Sequence, residues 1–110
     1  MGTKGETPAD WGALPQRGRV KLRGYLESVT YPSVVGAPVF AARLVPKVAP
    51  PSGRKRAGEH VTLLWVGQRR VAGIEPGVWV SCSGLLTRAS GDPVLYDPRY
   101  EILAVDGEDA

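Results

Sequence analysis

The stretch Arg19-Val-Lys-Leu-Arg-Gly-Tyr-Leu-Glu-Ser-Val-Thr-Tyr31 decides the fold. Its polarity alternates with a period of two, the signature of a strand with one buried face. Val20, Leu22 and Leu26 fall on one side, and Arg19, Lys21, Arg23 and Tyr25 on the other. The strand is long and carries Gly24 in the middle of its apolar side. Glycine weakens a strand interior unless a bulge or a tight bend needs it. Beyond Glu27 the apolar residues move to odd positions, Val29 and Tyr31, which is what a bulge near residues 24–28 would produce. A long first strand bent at a glycine can serve two sheets at once, and so close a small barrel.

The rest of the chain reads as further short strands separated by turn residues. Val39–Val45 is a second strand, with Phe40, Ala42 and Leu44 against Val39, Ala41, Arg43 and Val45. Glu59–Val66 is a third, apolar on both sides. Either Val61, Leu63 and Trp65 or Thr62, Leu64 and Val66 face inward. Gly67–Ile74 is too short for a full helix and predicts one helical turn. Glu75-Pro-Gly77 is a turn in which Pro sets φ and Gly accepts the reversal. Val78–Leu86 is a fourth strand, Ser90–Pro93 a hairpin turn, and Val94–Leu103 a fifth strand. Asp97-Pro98 interrupts that fifth strand, so it is an edge there, or kinked or bulged. These elements predict an all-β fold, a five-stranded OB-fold barrel with a short helical turn between strands three and four. An SH3-like barrel is the nearest competitor.

Residues 1–16 follow neither period and read as a flexible arm, 17–104 as the OB-fold domain, and 105–110 as an acidic C-terminal tail. Within the arm Trp11 has three possible fates: to pack back on the barrel, to touch a ligand, or to do neither. The 14 Gly and 10 Pro are spread between apolar runs, which suits many strands and turns. No charged-then-apolar leader opens the chain and no apolar run approaches ~18 residues, so the expectation is a cytoplasmic protein with no membrane partner. A single cysteine, Cys82, cannot form an internal disulfide and reads as a small buried hydrophobe.

Charge points to a ligand class. Residues 17–104 hold thirteen Lys and Arg against six Asp and Glu, a balance of +7. The first 16 residues sum to −1 and the last six to −3, which returns the chain's +3. A compact basic domain between acidic ends is the footprint of a polyanion binder. Arg19, Lys21 and Arg23 would project from one strand face about 6–7 Å apart, near the spacing of phosphates in an extended single strand. Tyr25 continues the row as a stacking platform, and Arg43 widens it if the second strand shares that face. Arg54, Lys55 and Arg56 at the tip of the Pro46–Gly58 loop, and Arg69 with Arg70 after the third strand, complete the candidate set. The alternative for each is a solvated surface cation. The single histidine, His60, and the scattered carboxylates show no spacing suited to catalysis or metal ligation, so neither an enzyme nor a cofactor is expected.

The run Val61–Leu86 (VTLLWVGQRRVAGIEPGVWVSCSGLL), followed by Gly91–Leu103 (GDPVLYDPRYEIL), resembles the later strands of a nucleic-acid-binding OB domain. It is similar to the small stand-alone OB-fold proteins of actinobacteria. More distantly, it is similar to the wedge OB domain of the branched-DNA helicase family. The elements that carry the resemblance are the hydrophobic third strand, the short basic connector Gly67–Ile74, the Pro76-Gly77 turn, the fourth strand and Pro98-Arg-Tyr-Glu101. It covers about residues 19–103, and the chain departs from the pattern in its Pro46–Gly58 loop. The resemblance implies non-catalytic nucleic-acid binding, with no helicase motor to carry over. The expected function is binding of single-stranded or junction DNA or RNA through strands one to three and the flanking loops. The alternative is a protein–protein interaction module or a self-associating barrel, which would use outward apolar residues such as Val39 and Leu85.

Overall fold

A computed structural model describes residues 11–47 and 59–103. Among the described residues six strands run in chain order: β1 (Gly18–Thr30), β2 (Val39–Val45), β3 (Val61–Val66), β4 (Trp79–Ala89), β5 (Asp92–Tyr96) and β6 (Arg99–Ile102). One 3₁₀ turn, Trp11–Ala13, precedes them. The described part is therefore all-β. Five strands close into a ring in the order β1-β2-β3-β5-β4, with β4 pairing back onto β1. All neighbours are antiparallel except β3 and β5, which run parallel. Among the described residues no helix is long and apolar enough to cross a membrane.

Ring closure depends on β1 serving two neighbours. Residues 18–25 pair with β4, residues 25–30 pair with β2, and Tyr25 belongs to both ladders. The register with β2 shifts between Leu26 and Ser28, the bulge that the phase slip at Glu27 predicts. Gly24 lies just before this corner. A Cβ on it would stand 2.7 Å from the Val45 carbonyl oxygen and 2.8 Å from Leu44 Cγ. Glycine is required here by close approach of two backbones.

The fifth strand is a correction. The expected Val94–Leu103 run is two strands, β5 and β6, broken at Asp97-Pro98. Both lie along the same edge of β4: β5 against Leu86–Ala89, and β6 against Val80–Ser83. The break has a physical cause. Asp97 sits in the left-handed region at φ 49°, and Pro98 has no N–H to give to a ladder. The kink is tied to β3 instead. The Asp97 N–H donates to the Leu64 carbonyl (2.6 Å), Asp97 Oδ1 accepts from the Val66 N–H (3.0 Å), and Trp65 Nε1 donates to the Pro98 carbonyl (3.2 Å).

The core fills the ring. Val20, Leu22 and Leu26 of β1 meet Phe40, Ala42 and Leu44 of β2, and Val80, Cys82 and Leu86 of β4. The open phase of β3 resolves to Val61, Leu63 and Trp65 inward. The expected helical turn at Gly67–Ile74 does not form. Its one local bond, from the Ile74 N–H to the Val71 carbonyl (3.2 Å), closes a reverse turn with Gly73 at φ 77°, and a positive φ ends any helical run. The connector still has a structural task, because Val71 and Ile74 are buried against the core. The β4–β5 hairpin turns at Ser90 and Gly91, both at positive φ, as a two-residue loop between right-twisted strands requires.

Two outcomes test this packing. Gly24→Ala is expected to cost about 1–3 kcal/mol in urea unfolding, since a carbonyl and a core leucine must give way; an unchanged midpoint would show that the corner can relax. Burial pushes the Cys82 thiol from 9.0 up to about 12. The folded protein therefore holds its proton where the unfolded chain has lost it. Stability is intact below pH 9 and declines as pH rises from 9 toward 12, at up to about 1.4 kcal/mol per pH unit for this group. Cys82→Ala, although less stable at neutral pH through its cavity, is expected to show a shallower decline across that window in thermal melts.

Candidate nucleic-acid interface

The alternation of β1 turns Arg19, Lys21, Arg23 and Tyr25 away from the core, because Val20, Leu22, Gly24 and Leu26 are buried between them. Pairing with β4 then decides what lies beside this row. Arg19 stands opposite Leu85, Lys21 opposite Ser83, Arg23 opposite Ser81 and Tyr25 opposite Trp79. Directly opposed residues of an antiparallel pair share a face. One strand further on, Ser83 is opposite Arg99 and Ser81 is opposite Glu101. The result is one face, three strands wide, built from β1, β4 and β6. Among the described residues it carries four cations, Arg19, Lys21, Arg23 and Arg99, against the single carboxylate of Glu101. Along β1 the cations repeat at about 6–7 Å, and Lys21 and Arg99 are separated by two strand spacings, about 10 Å. At one end the Tyr25 and Trp79 rings meet edge to face, with centroids 5.5 Å apart and planes at 60°. Leu85, exposed, lies at the other end.

The N-terminal segment fixes one border of this face. Trp11 Nε1 donates to the Arg23 carbonyl (2.9 Å), and Trp11 and Leu14 pack against the core. Arg88 donates to the carbonyls of Pro15 (2.8 Å) and Gln16 (3.3 Å). Of the three fates open to Trp11, the structure shows packing. The strap also occupies Arg88, leaving it no part in the cationic row.

The other candidate residues go elsewhere. Arg43 pairs with Ser28, beyond the bulge, so it does not widen the row. Its Nε donates to Glu27 Oε1 at 2.9 Å. With both side chains about two-fifths exposed, that pair adds little stability, but it cancels the charge Arg43 would offer. Arg69 Nη1 donates to the Ser33 carbonyl (2.9 Å), tying the connector to the β1–β2 loop. Arg70 beside it is exposed. Arg54, Lys55 and Arg56 lie outside the described residues.

Ser83 and the pairing of Trp79 with Tyr25 are parts of this face that sequence reasoning left out, and Arg99, which the sequence leaves open between supporting the barrel and extending the face, falls on it. Arg99 and Tyr100 are adjacent in an alternating run, which announces opposite sides of a strand. Which strand Arg99 faces follows only from the β4–β6 register. Comparison of the chain with known protein families, with curated proteins and with solved structures finds no match.

Trp11→Phe keeps the ring and removes its donor. It is expected to cost about 1 kcal/mol in thermal or urea unfolding and to speed amide exchange in residues 11–16; unchanged exchange there would mean that packing alone holds the strap.

Proposed function

We propose that the five-stranded ring is an OB-type barrel and that it binds single-stranded or junction nucleic acid, without catalysis, on the β1–β4–β6 face. The barrel reading is supported by closure of β1 onto β4 and by a strand order that does not follow the sequence, as expected of a five-stranded Greek-key barrel. OB folds commonly bind on the face of strands two and three. Among the described residues that side is mostly apolar, and its cation Arg43 is held by Glu27. The polyanion-binding role therefore falls to the other side of the ring.

The observation that carries the reading is the row Arg19–Lys21–Arg23 with Arg99 across β4. Such a row neutralises successive phosphates of a strand laid along β1. The Tyr25–Trp79 pair at its end offers an aromatic surface on which a base can stack, worth roughly 1–3 kcal/mol regardless of sequence. The serine hydroxyl of Ser83 lies between Lys21 and Arg99 and can donate to a phosphate oxygen. A reducing, cytoplasmic setting is part of the proposal and agrees with a lone buried thiol.

The test is fluorescence anisotropy with a labelled single strand of ~20 nucleotides, titrated between about 50 and 200 mM salt. Lys21→Gln and Arg99→Gln are each expected to weaken binding and to reduce the slope of log K against log salt by about 0.7. Arg43→Gln, already neutralised by Glu27, is expected to leave the slope unchanged. A slope equal to wild type in both the Lys21 and Arg99 variants would remove this face from the function.

A further inference from the structure

We infer, building on the polyanion-binding reading of the β1–β4–β6 face, that residues 104–110 dock on that face as an internal competitor of the nucleic acid. The segment, Ala104-Val-Asp-Gly-Glu-Asp-Ala110, lies outside the described residues. It holds three carboxylates, Asp106, Glu108 and Asp109, and no cation. The fold fixes where it starts. Leu103 is buried, and its N–H donates to the Trp79 carbonyl (2.8 Å). Trp79 in turn stands opposite Tyr25 on β1. The segment therefore leaves the ring at the aromatic end of the basic face, one strand from Trp79 and two from Tyr25.

Charge and reach identify the occupant. Lys21 and Arg99 lie on either side of Ser83, and among the described residues no carboxylate pairs with either. Arg99 stands about 13 Å back along the strand from Leu103. Lys21 is as far back and two strand spacings across, about 16 Å in all. The chain from Leu103 to Asp109 spans at most about 20 Å, so Glu108 and Asp109 come within side-chain reach of both cations. The order of residues in the segment matches the order of chemistry on the face. Val105 comes first, at the level of the half-buried Tyr25 and Trp79 rings, and the carboxylates follow toward the cations. The other stretches outside the described residues fit less well. Residues 48–58 carry Arg54, Lys55 and Arg56, and residues 1–10 set Lys4 against Glu6 and Asp10. A segment joined to the face by a residue or two competes at an effective concentration on the order of millimolar. It holds the face against weak or short anions and yields to a strand that brings many phosphates at once.

The experiment has two arms, both on the full chain. In the first, Glu108→Gln with Asp109→Asn is compared with wild type for binding a labelled single strand of ~20 nucleotides. At about 50 mM salt this variant is expected to bind about three- to tenfold more tightly, and the gain to shrink at about 200 mM as screening loosens the docked segment. Glu59→Gln with Asp92→Asn raises the net charge by the same amount at two exposed positions outside the face, and is expected to change affinity less than about twofold. Equal gains in the two double variants would overturn the inference, since net charge alone would then account for them. The second arm reads the contact without nucleic acid, from a nitroxide on Ala110→Cys; Cys82 is buried and holds its proton, so the label goes to position 110. Amide resonances of Lys21, Ser83 and Arg99 are expected to broaden at about 50 mM salt and to recover at about 500 mM, while those of β2 and β3 keep their intensity. No broadening at those three residues would overturn the inference. Broadening there, with no strand bound by wild type or by the variant, would keep the docked segment and overturn the nucleic-acid reading instead.

Discussion

Where β1 leaves β4 for β2, the chain passes so close to the Val45 carbonyl and to Leu44 that position 24 has no room for a side chain. This contact is the constraint from which the rest follows. A strand that stayed with one neighbour would leave an open sheet with two long edges, and unpaired edges invite aggregation. Because β1 turns the corner, its first half closes the ring on β4 and its second half starts the meander through β2 and β3. The bulge that follows shifts the phase of the strand between its two halves. The outward residues of the first half are cations, and those of the second half border an apolar face. One backbone contact thus separates two surfaces of different chemistry.

A second corner, at Asp97-Pro98, completes the arrangement. It hands the chain from β5, which pairs with β3 and β4, to β6, which pairs with β4 alone. Three hydrogen bonds to β3 residues hold the break in place. The left-handed Asp97 is therefore supported rather than merely tolerated, and its cost of order 1 kcal/mol is offset by partners that a regular strand would not offer. The consequence for the surface is that Arg99 lands beside Ser83 rather than continuing along β5. The basic face is three strands wide because two corners, on opposite edges of β4, bring β1 and β6 to it.

What the sequence discloses and withholds follows from how local each feature is. The inward face of β1, the inward face of β2, the need for Gly24 and the hairpin at Ser90 are all written in residue spacing, since each depends on neighbours in the chain. The phase of β3 is not, because a strand with a core on one side and an apolar surface on the other has no alternation to read. The connector misleads for a related reason: Val71-Ala-Gly-Ile74 has the one-turn spacing of a helix, and only the positive φ at Gly73 turns it into a reverse turn. Arg43 looks like another exposed cation until the pairing of β1 with β2 places Glu27 beside it. Arg99 requires the register of strands far apart in sequence. Partners across a sheet are the least legible part of the fold, and a binding face is made of such partners.

The two faces lie on opposite sides of the ring, since β3 stands across the core from the β1–β4 junction. Under the proposed function a strand laid along β1 would keep to one side of the ring, with the Tyr25–Trp79 pair at one end of its path and Leu85 at the other. Charge sorting on so small a ring then bears on the path of a ligand as well as on its sign, because a phosphate track follows the strands whose outward residues are cations.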